Sequence, residues 1–203
     1  MIARMSRGIS SFFMAHGLIA ADDEEVYTYS FEILLSTFAN FLALTFLSVI
    51  TRTVPESALY LLGFAPLRQI AGGYHAKNHF RCFLILMCSY AVFLLLLLYL
   101  PVDVQFPVIV TSVLLSVVYV FLFAPAEDAN KPLSYEEKVR FKKKSRCFIA
   151  GYAATIGLLT GFVPDKKFVF SLAMGVFTAA ISLMANFIRY ENGKQREQEG
   201  GGV

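Results

Sequence analysis

The sequence predicts an all-α, polytopic integral membrane protein with about six transmembrane helices, the second one short or kinked, preceded by an interfacial amphipathic helix. Of the 203 residues, 57% are hydrophobic and 16% are charged, whereas soluble domains average about 45–50% and about 25%. Residues 82–100, 106–126 and 168–188 contain no charged side chain. Uncharged apolar runs of about 18 residues or more are typical of transmembrane helices. The remaining polar sequence is too short to enclose these runs in a soluble domain.

The N-terminal segment is predicted to be a helix lying in the membrane surface. Its apolar residues recur at helical spacing, whereas Arg4, Arg7 and Ser10 fall off that face, a pattern that favours binding at the lipid–water boundary. His16 and Gly17 interrupt the apolar run, so a cleavable signal peptide is not predicted. The apolar face comprises Ile2, Met5, Ile9, Phe12 and Phe13.

The second of the six apolar segments is the weakest. Residues 55–66 would span only about 18 Å at about 1.5 Å per residue, against a hydrocarbon core of about 30 Å. This segment crosses fully only if its helix continues past Pro66 towards Gly72, or if the membrane is thin there. Pro66 is expected to kink or break the helix. In order, the six segments are 29–50, Val54–Ala71, 82–100, 106–124, 147–163 and 168–188.

The domain organisation follows from the same pattern. We predict a single transmembrane domain over residues 1–190. Residues 191–203 are polar and end in three glycines before the final valine, so we predict a disordered C-terminal tail.

Basic residues predict the orientation, because they are enriched on the cytoplasmic side of membrane helices. With six spans and a cytoplasmic N-terminus, the outer segments contain only Arg52, Lys166 and Lys167. Both termini and residues 68–82 are therefore predicted to be cytoplasmic. A re-entrant second segment would move only the N-terminus outside. The inner basic residues are Arg4, Arg7, Arg68, Lys77, Arg81, Lys131, Lys138, Arg140, Lys142, Lys143, Lys144, Arg146, Arg189, Lys194 and Arg196.

The polar stretch 68–82 contains two of the three histidines and one of the three cysteines. His75 and Cys82 could form a base–nucleophile pair. On one straight helix they would lie about 10.5 Å apart along the axis, whereas proton transfer needs about 3 Å. We therefore predict a turn over residues 73–78, made possible by glycine, and a third transmembrane helix that begins near Phe80. The positive end of that helix would stabilise a thiolate.

Two other interpretations of this stretch stay open. A cysteine at the start of an apolar helix is commonly a small hydrophobic residue, and a histidine in a basic loop is commonly an interfacial one. A metal site would use His75, His79 and Cys82, but the glutamate that the zinc-protease helix motif requires beside the first histidine is missing. An odd number of cysteines predicts no disulfide framework. The other two cysteines have no adjacent base and are predicted to be inert: Cys88 and Cys147.

Two polar elements together resemble a known family. The first reads Arg68-x-x-x-Gly72-Gly73-Tyr74-His75-Ala76-x6-Cys82, and the second reads Ala124-Pro125-Ala126-Glu127, followed by Asn130-Lys131-Pro132-Leu133. In their order, and in the length and hydropathy of the chain around them, they resemble the AgrB (accessory gene regulator protein B) family. The resemblance implies a membrane-embedded cysteine endopeptidase that cleaves the C-terminal tail from a quorum-sensing propeptide. An acyl-enzyme thioester would then cyclise to a thiolactone or lactone peptide.

The resemblance also implies residue roles. Cys82 would be the nucleophile and His75 the general base and acid. Arg68 would bind acidic groups of the propeptide or anchor at the lipid interface, while Gly72 and Gly73 would allow the backbone to turn. An AgrD-like amphipathic propeptide, the lipid bilayer of a bacterial cell and a second copy of the chain are the implied partners. No cofactor, metal or nucleic acid is predicted.

Two rival functions belong to other classes: a small membrane transporter or exporter of peptides, and a non-catalytic membrane scaffold. The spans contain few ionisable residues, and no inverted repeat of broken helices is evident. Both features weigh against a transporter.

Overall fold

The computed structural model describes the backbone of residues 2–72, 79–126 and 134–200, without the side chains of residues 2, 21, 79–81 and 189–200. Apart from a short 3-10 turn at Ala21–Asp23, the regular structure in these ranges is α-helical. The helices are α1 (Ile2–Ala15), α2 (Glu24–Ile50), α3 (Val54–Ala71), α4 (His79–Tyr99), α5 (Val102–Phe123), α6 (Tyr135–Phe162) and α7 (Lys166–Gly200).

Four candidate membrane spans occur among the described residues, at Glu24–Ile50, Cys82–Tyr99, Val102–Phe123 and Lys166–Ile188. The predicted polytopic, all-α membrane fold is confirmed. Helices α3 and α6, predicted to be the second and fifth spans, are helical but are not among the four. The 18 residues of α3 include Glu56 and Arg68, and the first half of α6 is strongly basic. Membrane crossing by these two helices stays a prediction.

The described residues fall into two compact units. The first contains α1, α2 and the start of α4 as far as Cys88. The second contains α3, the rest of α4 from Ser89, and α5 to α7. The single domain expected over residues 1–190 stays a prediction.

In the first unit, α1 packs along the beginning of α2. The ring of Phe13 lies 5.6 Å from the ring of Phe31, and the Ser11 hydroxyl donates a hydrogen bond of 3.1 Å to the Glu24 carboxylate. An apolar contact and a polar contact therefore join the two helices.

The exposed surface of α1 carries apolar side chains together with Arg4 and Arg7. Ser6 and Ser10 are fully buried, whereas Met5 and Phe12 are 50% and 58% exposed. Small serine side chains allow close packing of α1 within its unit. The exposed apolar side chains are those that an interfacial helix presents to lipid.

Helix α7 lies at the centre of the second unit and packs against α3, α5 and α6. It approaches α3 closely at two glycines. A Cβ atom added at Gly63 would lie 2.5 Å from the carbonyl oxygen of Leu172, and one added at Gly175 would collide with the backbone carbonyl of Tyr60. Small residues allow membrane helices to pack this closely. The buried apolar residues of α7 include Val169, Phe170, Ala173, Val176, Ala180 and Leu183.

Helices α3, α5 and the apolar part of α7 run in the same direction. Late in α3, Arg68 contacts Ser182 of α7, and the ring of Phe123, the last residue of α5, lies 4.8 Å from the ring of Phe187. The two glycine contacts occur earlier in both α3 and α7. The C-terminal ends of α3 and α5 and the end of the α7 span therefore meet at one end of this unit.

Helix α6 runs in the opposite direction. Its Ser145 hydroxyl reaches the Ile70 carbonyl oxygen at 3.4 Å, near the end of α3. Eight residues earlier in α3, the Leu62 carbonyl oxygen accepts a hydrogen bond from the later Tyr152. The lysine-rich start of α6 thus lies where α3, α5 and the α7 span end. We name this the basic end of the second unit.

Of the kink or break expected at Pro66, the break does not occur, whereas the kink stays a prediction. The helix continues to Ala71 with Pro66 inside it. Because proline has no N–H, the carbonyl group of Leu62, four residues earlier, receives no amide hydrogen bond from position 66. The Tyr152 hydroxyl donates to that carbonyl oxygen at 2.6 Å. A side chain from α6 thus satisfies the backbone group that proline left without its usual donor.

The backbone of α7 is helical as far as Gly200, and the disordered tail expected over residues 191–203 stays a prediction. Glu, Gln, Lys and Arg dominate this stretch. All four favour helix, so a polar segment can continue a helix beyond its apolar span.

Candidate active site

Cys82 is the fourth residue of α4 and lies in its first turn. Its thiol is free and the residue is half-buried. The third transmembrane helix was predicted to begin near Phe80, and α4 begins at His79, which confirms that prediction. The first turn of a helix carries backbone N–H groups without helical partners, and its partial positive charge favours an anion. Cys82 therefore lies in the helical turn that carries these free N–H groups.

His75 and Gly73 lie outside the described residues, as does the predicted turn over residues 73–78. The pairing of His75 with Cys82 stays a prediction. The metal alternative also depends on His75, and on the side chain of His79, which is not described. Among the described side chains, no group of three His, Cys, Asp or Glu residues could hold a metal ion.

Gly72 ends α3 in a conformation that favours glycine, with φ +82° and ψ −174°. Its N–H donates to the Arg68 carbonyl oxygen at 3.1 Å. One residue earlier, the Ala71 carbonyl oxygen accepts a 2.9 Å hydrogen bond from the Ala126 N–H. A Cβ atom added at Gly72 would lie 2.8 Å from the Ala126 carbonyl oxygen. The structure therefore joins the start of the first polar element to the start of the second.

Arg68 is half-buried in the last turn of α3. Its guanidinium group donates a 2.6 Å hydrogen bond to the Ser182 hydroxyl, and its central carbon lies 5.5 Å from the centre of the Phe64 ring. Arg68 thus joins α3 to α7 within the protein, a role that the sequence did not predict. The only sequence signal for Ser182 is its polarity within the uncharged stretch 168–188.

The start of α6 is fixed by a capping box. The Ser134 hydroxyl accepts from the Glu137 N–H at 3.2 Å, and the Glu137 carboxylate accepts from the Ser134 N–H at 3.0 Å. This reciprocal pair satisfies two backbone donors and defines where the helix begins. The basic side chains of the next two turns point outward. The exposed ones are Lys138, Arg140, Lys142, Lys143 and Lys144.

Ser145 and Arg146 attach this basic segment to its neighbours. Ser145 is fully buried and donates to the Phe141 carbonyl oxygen at 2.8 Å. The Arg146 guanidinium group lies 4.9 Å from the centre of the Phe121 ring and donates to the Phe121 carbonyl oxygen at 3.3 Å. The basic segment is therefore packed against α5 on one side.

The other two cysteines lie elsewhere on the helix surfaces. Cys88 and Cys147 are both free and exposed. Cys88 lies in α4, six residues after Cys82, beyond the first turn. It provides a matched control for any experiment on Cys82.

These features define a multi-pass, α-helical membrane protein with a free cysteine in the first turn of one span. A glycine whose position is fixed by a second chain segment ends the helix before that span. The chain belongs to the AgrB family, because the family model described as Accessory gene regulator B matches residues 6–183. Membership implies a role in processing a quorum-sensing propeptide.

Two relatives are similar to this chain, one over most of its length and the other over part of it. An AgrB-like protein of Clostridium perfringens (strain SM101 / Type A) is 24% identical over 195 residues, which cover 90% of this chain and 91% of the relative. Protein FsrB of Enterococcus faecalis (strain ATCC 47077 / OG1RF) is 29% identical over 117 residues, which cover 58% of this chain and 48% of FsrB. No solved structure matches the chain.

Proposed function

We propose that this chain is a membrane cysteine endopeptidase that removes the C-terminal tail of a quorum-sensing propeptide, with Cys82 as nucleophile and His75 as general base and acid. The observation that carries the proposal is the position of Cys82 in the first turn of α4. Backbone N–H groups without helical partners occur in that turn, and a cysteine in the middle of the span would have none beside it.

In the first half-reaction, the His75 imidazole takes the proton of the Cys82 thiol. The thiolate then attacks the carbonyl carbon of the scissile peptide bond, and the C–N bond breaks. The imidazolium returns its proton to the departing amine. The products are a thioester between Cys82 and the N-terminal part of the propeptide, and the free tail.

In the second half-reaction, a thiol or hydroxyl group of the propeptide attacks the thioester carbonyl carbon. The Cys82 sulfur leaves and recovers a proton, and the propeptide closes into a thiolactone or lactone ring. Exchanging an amide for a thioester is unfavourable. The reaction therefore requires removal of the tail, or protection of the thioester from water until the ring closes.

The fixed position of Gly72 supports the participation of His75. Its contact with Ala126 determines where the chain leaves α3. His75 comes three residues later, and three residues can extend at most about 11 Å. The imidazole is therefore carried on a short connection from a well-packed point. We place Gly72 and Gly73 in this positioning role, rather than in the chemistry.

The arrangement of charge within the second unit supports a cytoplasmic position for its basic end. The cytoplasmic position of the 68–82 stretch and of both termini is proposed from the distribution of basic residues along the sequence. Arg68 and the exposed lysines of α6 meet at the basic end of the second unit. The basic side of a membrane protein faces the cytoplasm. An AgrD-like amphipathic propeptide lying in the same membrane surface would be oriented before it reaches Cys82.

A second copy of the chain is a proposed partner. In a homodimer, His75 of one chain could also act on Cys82 of the other, but we favour the pair within one chain because the connection from Gly72 is short. Co-expression of His75→Ala and Cys82→Ala chains separates the two arrangements. Recovery of processing in the mixture would support action between chains.

The proposal is tested by co-expressing the chain with a tagged propeptide and following its size on a gel. Cys82→Ala and His75→Ala are expected to abolish cleavage, whereas Cys88→Ala is expected to cleave like the wild type. Mass spectrometry of Cys82 peptides is expected to detect the acyl-enzyme. Unchanged processing by Cys82→Ala would reject the peptidase and favour the exporter or scaffold.

A further inference from the structure

A groove of about 470 Å³ lies at the basic end of the second unit, where α5, α6 and α7 meet. One side is apolar and is formed by the last residues of α5 and of the α7 span. The other side is polar and is formed by the first three turns of α6. The chemistry of the groove is set by Leu122, Phe123 and Phe187 on the apolar side, and by Tyr135, Lys138 and Lys142 on the polar side.

The two sides of the groove lie at different depths relative to the spans. The α5 span ends at Phe123, and the α7 span ends at Ile188. The apolar side therefore belongs to the last turn of two membrane-crossing helices, at the edge of the hydrocarbon core. The lysines lie in the first turns of α6, outside the four candidate spans and before the segment 147–163 predicted to cross the membrane. That order along the chain favours a position at the level of the lipid headgroups. The lining of the groove thus changes from apolar to cationic side chains in the direction in which a lipid molecule runs from its acyl chain to its headgroup.

We propose that this groove binds an anionic phospholipid. Its phosphate would lie beside the ammonium group of Lys142, and its acyl chain would lie along Leu122. No acidic side chain occurs among the described residues that line the groove. Lysines near the membrane surface attract anionic lipids, and Tyr135, which is 82% exposed, is of the type enriched at that level.

The exposure of the apolar side favours lipid over an acidic peptide. Leu122 is 68% exposed although it lies within a span, so its natural neighbour is an acyl chain. A peptide in the same place would bring backbone N–H and C=O groups into the edge of the hydrocarbon core, where each unsatisfied group is costly. The inference does not depend on the proposed peptidase activity.

The floor of the groove has a further consequence for the candidate active site. Ala126 lines the groove, and its N–H group holds the Ala71 carbonyl beside Gly72. A bound lipid would therefore contact the same segment that fixes the end of α3. If the proposed peptidase activity holds, the lipid composition of the membrane would affect where the chain leaves α3 on its way to His75.

A tryptophan reporter tests the binding directly. The chain has no tryptophan, so Tyr135→Trp introduces one fluorophore at the edge of the groove. The full chain is placed in mixed micelles with phosphatidylcholine, and phosphatidylglycerol with brominated acyl chains is titrated in. We expect brominated phosphatidylglycerol to quench the tryptophan at a several-fold lower mole fraction than brominated phosphatidylcholine.

Two charge variants distinguish a site from a generally positive surface. In the reporter chain, Lys142→Ala is expected to reduce the preference for phosphatidylglycerol about fivefold, because one lysine near an anionic surface contributes about that factor. Lys142→Arg is expected to restore it. Lys144→Ala removes the same charge from an exposed residue of the same helix that does not line the groove, and its effect should stay within about twofold.

Three outcomes would overturn the proposal. One is equal quenching by both brominated lipids in the reporter chain, and another is an equal loss of preference in Lys142→Ala and Lys144→Ala. The third is relief of quenching by an acidic amphipathic peptide at concentrations well below those of the lipid, which would assign the groove to a peptide. Circular dichroism and gel-filtration profiles that match the reporter chain confirm that each variant is folded.

Discussion

The Tyr152 hydroxyl donates a hydrogen bond of 2.6 Å to the Leu62 carbonyl oxygen. Pro66 cannot donate to this oxygen because proline has no backbone N–H group. Because Tyr152 and Leu62 lie 90 positions apart in the chain, this bond makes the continuity of α3 depend on the packing of α6. Without it, a carbonyl group in an apolar setting would lose its replacement donor.

Removing that hydroxyl is expected to destabilise the protein. Tyr152→Phe should lower the free energy of unfolding by about 0.5–1.5 kcal/mol, the net contribution of a typical hydrogen bond. Tyr119→Phe is the matched control, because the Tyr119 hydroxyl has no hydrogen-bond partner in the described part of the chain. The free energy of unfolding of both variants is measured in mixed detergent micelles. Equal stability of the two variants would show that Leu62 does not need the tyrosine.

Gly72 should not tolerate a side chain. Its φ and ψ values lie in a region that only glycine adopts readily, at a cost of about 1–3 kcal/mol for other residues, and a Cβ atom would press on the Ala126 carbonyl oxygen. Gly72→Ala is therefore expected to unfold more easily by at least that amount and to lose propeptide cleavage. Gly157→Ala, in open surroundings within α6, should retain both. Normal cleavage by Gly72→Ala would remove the glycine from the positioning role.

The Arg68–Ser182 contact should contribute to stability independently of any substrate. Hydrogen bonds that involve a charged group contribute about 1.5–3 kcal/mol, so Arg68→Ala and Ser182→Ala should each destabilise the protein. Their effects should not add in the double variant, because each substitution removes the same bond. Additive effects in this double-mutant cycle would mean that the two residues do not act together.

Arg68→Lys extends the same experiment to function. Lysine retains the charge but lacks the planar group that reaches Ser182 and covers Phe64. Loss of stability with normal cleavage would assign Arg68 a structural role. Loss of cleavage at normal stability would assign it to the propeptide.

Cysteine labelling should report the orientation of the membrane helices. Single cysteines are introduced at Lys144 and Lys167, both exposed, in a chain whose three native cysteines are replaced by alanine. A membrane-impermeant maleimide applied to intact cells is expected to label position 167 only, and position 144 only after permeabilisation. The reverse pattern would place the basic end outside the cell and contradict the proposed topology.

The sequence predicts local features of this fold well. Uncharged runs located three of the four candidate spans, and a long apolar segment that contains Glu32 located the other. The change from polar to apolar residues located the start of α4 at His79 within one residue. The same pattern placed Cys82 near a helix N-terminus. These predictions succeed because each depends on residues close together in the chain and on the bilayer as a uniform solvent.

Contacts between distant segments could not be predicted in this way. Nothing near Pro66 reveals that the Tyr152 hydroxyl will donate to the Leu62 carbonyl oxygen, so the sequence left both a kink and a break open, and α3 is not broken there. Likewise, the partner of Arg68 lies 114 residues away. Each depends on which helices become neighbours, and that is decided by packing of the whole unit. His75 lies outside the described residues, whereas Cys82 is described. Their arrangement therefore remains a prediction from their spacing in the sequence.

The central position of α7 has a consequence for biosynthesis. Translation completes α3 and α5 long before the ribosome reaches Lys166, yet both helices pack on the segment that begins there. The growing chain must therefore hold two incomplete helix surfaces in the translocon or the lipid until its final span is inserted. Helix α3 contains Glu56 and Arg68 within 18 residues, so it depends most strongly on packing against α7. A premature stop before Lys166 should therefore give a truncated chain that quality-control proteases degrade.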